Sequence, residues 1–290
     1  MSRNVTGKTK LFGVIGTPIE HSCSPKMHNA AFDALDLDYE YLAFEVGQDT
    51  LAQAVEGLKV LGVKGFSVTM PNKQIVAPYL DELSKEARLC GSVNCVYNKN
   101  GKLIGYNTDG HGFVETLRSN GVKIEGAKMT LIGTGGVSAA ACTQAALDGM
   151  REISLFGIKD ATFEAGLKLA ERLNHETNCK VQVYELAEEN VLREQVAQSD
   201  ILGNATPVGM GKMEGKSPVN DLAVFRPGLS VIDVIYHPDK TKFLEMAESC
   251  GCKIMNGKQM LLYQGAKSFS IWTGKEMPLD VVAPIVAKHQ

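Results

Sequence analysis

The 290-residue sequence has no apolar run long enough to cross a membrane and no block of basic residues. Its first apolar run, residues 11–15, is too short for a signal-peptide core or a membrane span. The formal net charge of −3 does not provide the positive surface that nucleic acid binding requires. We therefore expect a cytoplasmic protein that binds neither membranes nor nucleic acids.

The cysteines are scattered rather than paired. There are seven, an odd number, and no two have the C-x-x-C spacing of a zinc or redox site. This pattern favours neither a disulfide framework nor a metal centre. We expect small core or site-lining residues at all seven positions, which are Cys23, Cys90, Cys95, Cys142, Cys179, Cys250 and Cys252.

A linker rich in proline, glycine or serine is also missing, as are internal repeats. Short apolar runs instead alternate with amphipathic stretches, which predicts the α/β class, with parallel sheets covered on both faces by helices. The predicted strands are residues 11–15, 39–46, 65–68, 93–97, 128–132, 152–156, 180–184, 201–204, 229–234 and 252–255. The main predicted helices are residues 25–37, 51–61, 109–120, 138–149, 162–174, 240–250, 259–273 and 279–287.

Two domains are predicted, because residues 128–132 and the glycine-rich turn after them begin a new βαβ unit. Residues 1–108 are predicted to form an N-terminal α/β substrate-binding domain. Residues 109–256 are predicted to form a Rossmann-type, doubly wound dinucleotide-binding domain. Residues 257–290 offer helices but no strand to extend the second sheet, so we expect them to return to the first domain.

The glycine-rich turn, Gly133-Thr-Gly135-Gly136-Val-Ser138, stands between a predicted strand and an alanine-rich helix. Glycines in this context allow a tight turn and a close approach of backbone to pyrophosphate, and the helix N-terminus offers N–H groups to the phosphates. Ser138 replaces the third glycine of the usual pattern and is small enough for close packing. The alternative is a plain strand-to-helix turn.

The choice of cofactor depends on the end of the next strand, where Lys159 and Asp160 stand. Asp160 lies 22 residues after Ser138 (160 − 138), near the spacing of a carboxylate that binds the adenosine ribose hydroxyls. A carboxylate repels the 2′-phosphate of NADP, and no arginine is present here, although Lys159 would partly compensate. The balance favours NAD, and the alternative is ordinary charge at the start of a helix.

Lys73 and Asp109 both precede the dinucleotide-binding pattern. Reduction of a ketone builds negative charge on its oxygen, and a nearby ammonium stabilises that charge and donates the proton. A neighbouring carboxylate would hold the ammonium in position. Together the two residues indicate a carbonyl/alcohol dehydrogenase in which the cofactor carries the hydride.

Two serines precede the first predicted helix. Ser24 stands before Pro25, as an N-cap residue does when proline occupies the first helical position. In an extended loop, Ser22 and Ser24 would point the same way, and two hydroxyls at a helix N-terminus suit a small carboxylate. Spacing alone favours the simpler alternative, in which Ser24 caps the helix and Ser22 faces solvent.

Further polar residues stand near predicted strand ends. Thr69, Asn94 and Asn107 are placed where α/β proteins bind ligands, at the carboxyl ends of strands. Tyr236 follows another strand, and Gln264 lies on one face of a late helix. These last two are either ligand contacts or ordinary residues of their elements.

Five motifs occur in one order along nearly the whole chain. They are His-Ser-x-Ser-Pro-x-x-His-Asn from His21, Val-Thr-x-Pro-x-Lys from Val68, Gly-x-Val-Asn from Gly91, Gly-x-Asn-Thr-Asp-Gly from Gly105 and Gly-x-x-Met-Leu-x-x-Gln from Gly257. In these motifs the sequence resembles the shikimate dehydrogenase family, and more closely its quinate/shikimate dehydrogenase branch.

The resemblance implies a two-domain, NAD(P)-dependent enzyme that interconverts 3-dehydroshikimate and shikimate, with quinate as a further candidate substrate. It implies that Lys73 and Asp109 are the catalytic pair and that Ser22 and Ser24 bind the substrate carboxylate. The full set expected at the substrate is Ser22, Ser24, Thr69, Lys73, Asn94, Asp109, Tyr236 and Gln264. The set expected at the cofactor is Gly133, Thr134, Gly135, Gly136, Val137, Lys159, Asp160, Val234 and Gly257, and no metal is expected.

Three positions depart from the family's usual pattern. Ser67 stands where asparagine is usual, Cys95 replaces a threonine, and residues 157–159 replace the Asn-Arg-Thr of the NADP-specific branch. The quinate/shikimate branch also has an acidic residue at the place of Asp160, and that branch accepts NAD. We therefore predict an NAD-preferring enzyme, with NADP as the alternative cofactor.

Two other functions stay open. One is a dehydrogenase that acts mainly on quinate or an amino analogue. The other is a non-catalytic dinucleotide or metabolite sensor on the same fold, which the presence of both Lys73 and Asp109 disfavours. The oligomeric state is left open between monomer and homodimer.

Overall fold

The computed structural model describes residues 5–289, which divide into two compact units. The first contains the described residues up to Thr108 together with Gln264–His289, and the second contains Asp109–Tyr263. The later boundary falls inside one helix, Gly257–Thr273, whereas the sequence placed it at the start of that helix. The ends of the predicted substrate domain, residues 1–4 and 290, lie outside the described residues.

The sheet of the first unit has the strand order β2-β1-β3-β5-β6-β4. Its strands are β1 (Lys10–Gly16), β2 (Tyr39–Glu45), β3 (Gly65–Val68), β4 (Glu82–Leu83), β5 (Cys95–Lys99) and β6 (Lys102–Tyr106). β1 pairs in parallel with β2 and β3, but β5 is antiparallel to both β3 and β6. The predicted parallel pairing therefore holds for β1, β2 and β3 of this unit, and β5 departs from it.

The antiparallel pair β5–β6 is a tight hairpin. Lys99 pairs with Lys102, so only Asn100 and Gly101 form the turn. Both have positive φ, 55° and 88°, a conformation that asparagine and glycine tolerate and that matches the twist of two hairpin strands. The Oδ1 atom of Asn98 accepts a hydrogen bond of 2.8 Å from the Gly101 N–H. This local turn chemistry, rather than the alternation of strands and helices, determines the direction of β5.

The C-terminal helices belong to the first unit. The helices of this unit are α1 (Ser24–Ala34), α2 (Leu51–Val60), α3 (Lys85–Cys90), the later part of α9 (Gly257–Thr273) and α10 (Leu279–Ala287). Trp272 of α9 donates its indole N–H to the Val96 carbonyl at 2.9 Å. A Cβ at Gly65 would lie 2.4 Å from the Trp272 ring, so only glycine admits the ring there. The predicted return of the C-terminal helices to the first domain is confirmed.

The sheet of the second unit is wholly parallel, with the strand order β12-β11-β10-β7-β8-β9. Its strands are β7 (Lys128–Ile132), β8 (Glu152–Gly157), β9 (Lys180–Glu185), β10 (Ile201–Asn204), β11 (Ser230–Asp233) and β12 (Lys253–Met255). Its helices are α4 (Asp109–Ser119), α5 (Gly136–Leu147), α6 (Ala161–Glu176), α7 (Glu189–Ala197), α8 (Lys242–Ser249) and the start of α9. The chain runs outward from β7 to β9 and then crosses to β10 on the other side of β7. This doubly wound order confirms the predicted Rossmann-type fold.

Composition and structure agree on two further points. All seven cysteines are free thiols, and all except Cys250 are buried. Within residues 5–289, no helix combines the length and the apolar character that a membrane span requires.

Candidate active site

The polar strand ends of the first unit meet at one edge of its sheet. Thr69 follows β3 and Thr108 follows β6 by two residues, whereas Asn94 precedes β5. Because β5 is antiparallel, its beginning lies beside the ends of its neighbours. The Val68 N–H donates to the Asn94 carbonyl at 2.8 Å, and the Asn94 N–H donates to the Tyr106 carbonyl at 3.1 Å. Asn94 therefore stands at the start of its strand rather than at a carboxyl end, and its side chain lies at the same sheet edge as the ends of β3 and β6.

The Asn94 side chain connects this edge to helix α9. Its Oδ1 atom accepts from the Thr108 N–H at 2.7 Å, and its Nδ2 atom donates to Thr108 Oγ1 at 2.9 Å and to Gln264 Oε1 at 3.4 Å. Ser268, one turn further along α9, shares a hydrogen bond of 3.0 Å with Thr108 Oγ1. Asn94 and Gln264 therefore come together as the resemblance implied. Thr108 and Ser268, which hold them, are absent from the predicted site. Asn107, the third polar residue predicted near a strand end, donates from its Nδ2 atom to the Ser92 carbonyl at 3.1 Å.

The loop that carries Lys73 is fixed by its neighbour Asn72. Asn72 is fully buried, and its Nδ2 atom donates to the Val46 carbonyl at 2.8 Å. Its N–H donates to the Thr69 carbonyl at 2.9 Å, and the Val93 N–H donates to the Lys73 carbonyl at 2.8 Å. The backbone on both sides of Lys73 is thereby anchored, so the fold fixes the point at which its side chain leaves the backbone.

The first turn of α1 differs from the predicted cap. Ser24 is the first helical residue rather than the N-cap, which is Cys23, and the Cys23 side chain makes no capping hydrogen bond. The Ser22 Oγ atom accepts from the Ser24 N–H at 3.3 Å, so it is Ser22 whose hydroxyl contacts the helix start. The prediction that Ser24 caps α1 is wrong. Both hydroxyls remain at a helix N-terminus, where an anion is favoured.

Tyr41, in the centre of β2, is a polar residue that sequence reasoning missed. It is fully buried, its hydroxyl donates to Ser67 Oγ at 2.9 Å, and the Ser24 side chain hydrogen bonds to it as well. Its ring stacks on His28, with centroids 4.6 Å apart. Burial raises the pKa of Tyr41 and lowers the pKa of His28 to about 3, so the Tyr41 hydroxyl stays protonated and the imidazole stays neutral. The sequence pattern around Tyr41 does not indicate a role in the site, because its contacts are with residues distant in sequence.

Lys73 belongs to the first unit, and Asp109 opens α4 as the first residue of the second unit. Lys73 is half-buried and Asp109 is buried. Their assignment as a catalytic pair stays a prediction.

The glycine-rich turn of the second unit has the geometry of a phosphate cradle. Gly133 has φ of +114°, and a Cβ there would lie 2.9 Å from the Ala205 carbonyl oxygen, so glycine is required. Gly135 is the N-cap of α5, where no side chain caps the first N–H groups. A Cβ on Gly135 would meet no protein atom within 4 Å, which shows open space beside the turn. Uncapped N–H groups facing open space suit the pyrophosphate of a dinucleotide.

Asp160 connects the cradle to the start of α6. As the N-cap of α6, its Oδ1 atom accepts from the Thr162 N–H at 2.8 Å, the Thr162 hydroxyl at 2.7 Å and the Phe163 N–H at 3.3 Å. Thr162 in turn shares a hydrogen bond of 2.7 Å with Thr134 of the glycine-rich turn. Asp160 therefore has the capping role left open by the sequence. All three capping bonds use Oδ1, and Oδ2 takes part in none of them.

Lys159 is engaged by an acidic side chain of the next strand. Its ammonium forms an ion pair and hydrogen bond with Glu185 Oε1 at the end of β9. This contact holds the pKa of Lys159 above its usual value. The prediction named Lys159 and Asp160 but not Glu185, which lies 25 residues after Asp160 in the sequence (185 − 160).

The remaining predicted cofactor residues, Val234 and Gly257, follow β11 and β12, which lie on the other side of β7 from β8 and β9. A Cβ at Gly257 would lie 2.0 Å from the Val234 carbonyl oxygen, so the start of α9 approaches the end of β11 as closely as glycine allows. Asp233, the last residue of β11, has a buried carboxylate. This carboxylate accepts hydrogen bonds from Asn204 Nδ2 and the Ile235 N–H, both at 3.1 Å, and from Thr241 Oγ1 at 2.7 Å. Burial nevertheless raises the pKa of Asp233 to about 6. Tyr236 is partly exposed after this turn.

The second unit has a doubly wound sheet with an open glycine-rich turn. The first unit has buried polar residues at the ends of its strands. Together these features are typical of a nicotinamide-dependent oxidoreductase of the two-unit α/β class. The family model described as the shikimate dehydrogenase substrate binding domain matches residues 14–96, and the shikimate 5'-dehydrogenase C-terminal domain matches residues 257–285. The chain belongs to the shikimate dehydrogenase family.

Similar proteins cover the whole chain. It is 48% identical over 286 residues to the shikimate dehydrogenase (NADP(+)) of Listeria innocua, covering 99% of this chain and 98% of that protein. It is 44% identical over 283 residues to the quinate/shikimate dehydrogenase of Escherichia coli, covering 98% of each. The crystal structure of Listeria monocytogenes shikimate 5-dehydrogenase in complex with shikimate and NAD matches with a TM-score of 0.96 at 47% identity, covering 99% of both chains. The predicted family and the predicted dehydrogenase activity are confirmed.

Proposed function

We propose that this protein interconverts shikimate and 3-dehydroshikimate and prefers NAD to NADP. The observation that carries the cofactor preference is the pairing of Lys159 with Glu185 beside the carboxylate of Asp160. The lysine charge is neutralised within the protein, so a 2′-phosphate would meet net negative charge. A relative at 47% identity was crystallised with shikimate and NAD, which supports the proposal, whereas another at 48% is named for NADP(+).

The first unit supplies the proposed substrate contacts. Ser22 and Ser24 bind the carboxylate, since both hydroxyls lie at the N-terminus of α1, where an anion is favoured. Thr69, Asn94 and Gln264 bind ring hydroxyls, which is supported by the hydrogen bond between Asn94 and Gln264. Asp109 and Tyr236 are proposed as further substrate contacts.

The second unit supplies the proposed cofactor contacts. Residues 133–137 hold the pyrophosphate through backbone N–H groups, and Asp160 accepts from the adenosine ribose through Oδ2, which its capping bonds do not use. Val234 and Gly257 lie beside the nicotinamide. The bound nicotinamide accepts the hydride in oxidation and returns it in reduction.

Lys73 carries the proton of the reaction. In reduction its ammonium donates to the carbonyl oxygen, and in oxidation its amine accepts the hydroxyl proton, while Asp109 orients it. The backbone anchoring of Asn72 and the Lys73 carbonyl supports this role, because a proton carrier must be held in a fixed direction.

Initial rates with shikimate and with quinate, each with NAD and with NADP, test the proposal. We expect the highest kcat/KM with shikimate and NAD. A strict NADP preference would overturn the cofactor assignment, and faster turnover of quinate would assign the protein to the quinate-specific alternative that its 44% identical relative makes reasonable. Dinucleotide binding without turnover of either substrate would favour a sensor.

A further inference from the structure

The end of β9 lies next to the loop that selects the cofactor. Gly157, the last residue of β8, pairs directly with Glu185, the last residue of β9. The Leu186 N–H donates to the Gly157 carbonyl at 2.7 Å, so the pairing continues to the point where the β8–α6 loop begins. The sheet therefore places the Glu185 backbone beside the start of this loop, and the Glu185 carboxylate pairs with Lys159.

Lys159 is the only cationic residue between Gly157 and Phe163. Its side chain is 72% exposed, yet its ammonium is turned toward the Glu185 carboxylate, which is 36% exposed. Glu188 also acts on the lysine charge, but more weakly, through space and without a hydrogen bond. Lys159 thus has one direct acidic contact and one more distant acidic neighbour.

We propose that Glu185 is a cofactor-specificity residue, which withholds the Lys159 ammonium from the 2′-phosphate of NADP. The inference rests on the proposed cofactor site. A 2′-phosphate carries between one and two negative charges, and a lysine ammonium is its simplest partner in this loop. Pairing with Glu185 removes that partner and leaves Asp160 to repel the phosphate. NAD has only a hydroxyl at this position and does not need the lysine.

The effect is expected to be moderate, because an exposed ion pair is weak and salt screens it. Removing the Glu185 charge with Glu185→Gln should raise the kcat/KM ratio of NADP to NAD by about fivefold at low salt. The gain should shrink as salt is added. Glu185 is partly exposed at a strand end, so the substitution leaves the core unchanged.

A binding measurement separates this effect from catalysis. Adenosine 2′,5′-bisphosphate and 5′-AMP differ only in the 2′-phosphate, so calorimetric titration with each reports recognition of that group directly. Glu185→Gln should tighten the bisphosphate about fivefold and leave 5′-AMP nearly unchanged. The variant Glu188→Gln is the matched control, because it removes the same charge three residues further along the chain without freeing Lys159. It should change the affinity for neither ligand by more than about twofold.

The double variant Lys159→Gln/Glu185→Gln decides how Glu185 acts. The gain in affinity for the bisphosphate that Glu185→Gln produces should be absent from the double variant, because this variant has no Lys159 ammonium to contact the 2′-phosphate. An equal gain in the double variant, an equal gain in Glu188→Gln, or no gain in Glu185→Gln would each overturn the proposal. An NADP preference of the unsubstituted enzyme would instead refute the proposed function, whatever Glu185→Gln does to the ratio.

Discussion

The hydroxyl of Tyr41 lies 2.9 Å from Ser67 Oγ and also hydrogen bonds with the side chain of Ser24. Tyr41 therefore connects a serine that departs from the family's usual asparagine to a serine proposed to bind the substrate carboxylate. Both contacts are buried or partly buried within the first unit.

Tyr41→Phe should weaken shikimate binding more than it slows turnover. The substitution leaves Ser67 and Ser24 without the hydroxyl that orients them, at a cost of about 1 kcal/mol, or about fivefold in KM. Steady-state kinetics with a fixed, saturating cofactor gives the split between KM and kcat. Tyr39→Phe is the control from the same strand, because the Tyr39 hydroxyl is contacted by Lys10 at 3.5 Å instead. A fall in kcat at unchanged KM would contradict this role.

Lys73→Ala should lower kcat by about 10²- to 10⁴-fold, the usual contribution of a positioned proton carrier. Substrate binding should fall less, because Ser22, Ser24 and Asn94 remain. Equilibrium titration with shikimate and single-turnover rates separate the two effects. Lys64→Ala, an exposed lysine of the same unit, should leave both unchanged. A near-normal kcat for Lys73→Ala would reject Lys73 as the proton carrier.

Gly135→Ala should impair cofactor binding without destabilising the fold. The backbone at Gly135 has φ of −81°, which alanine adopts freely, and its Cβ would meet no protein atom within 4 Å. The methyl group would occupy the space assigned to the pyrophosphate, so KM for NAD should rise roughly tenfold, as overpacking of a close contact does. Thermal unfolding without cofactor should match that of the unsubstituted protein, because the added methyl group meets no protein atom. Unchanged NAD binding would place the pyrophosphate elsewhere.

Asp233 should make the protein more stable in mild acid than at neutral pH. Burial raises its pKa in the folded state from 3.8 to about 6, so the folded state binds the proton more tightly than the unfolded state. The resulting stabilisation is complete below pH 3.8 and is lost as the pH rises through about 6. The shift corresponds to about 3 kcal/mol of unfolding free energy.

Urea unfolding of the unsubstituted protein and of Asp233→Asn between pH 4 and 7 measures this contribution as a difference. The advantage of the unsubstituted protein should shrink as the pH rises. Asp221→Asn is the control, since Arg193 holds the pKa of Asp221 below its usual value of 3.8; its contribution is complete above that pH and should stay constant between pH 4 and 7. An advantage of Asp233 that instead grows with pH would show that its three hydrogen-bond donors outweigh its burial.

The apolar runs predicted most of the fold. All ten predicted strands exist, because buried strands read as short apolar runs and the more exposed β2 and β9 as alternating ones. The prediction omits β4, which has only two residues at a sheet edge, and β6, whose Asn100-Gly101 turn signal depends on turn chemistry rather than on hydrophobicity. It also omits the short helix α3 and the largely polar helix α7.

The site was less accessible from sequence than the fold. The glycine-rich turn, Lys159 and Asp160 are local patterns, and the structure brings the turn and Asp160 together through Thr134 and Thr162. Tyr41 and Glu185 could not be found in this way, since each acts on residues more than 15 positions away through strand pairing or side-chain packing. The mistaken cap at Ser24 has a similar cause, because the spacing of two serines does not fix the turn at which the helix begins.

The path of α9 through both units has a consequence for how the chain is made. Residues up to 108 contain the first sheet but lack Trp272 and Phe269, whose rings pack with Phe12, His28 and Phe32. We expect a fragment of residues 1–108 to gain fixed tertiary structure only when a segment spanning 264–289 is supplied, which near-ultraviolet circular dichroism of Trp272 would report. During synthesis, the first unit thus begins to emerge before the second but completes its fold only after residues 264–289 have been made. A chain truncated before those residues would leave the first unit without part of its core.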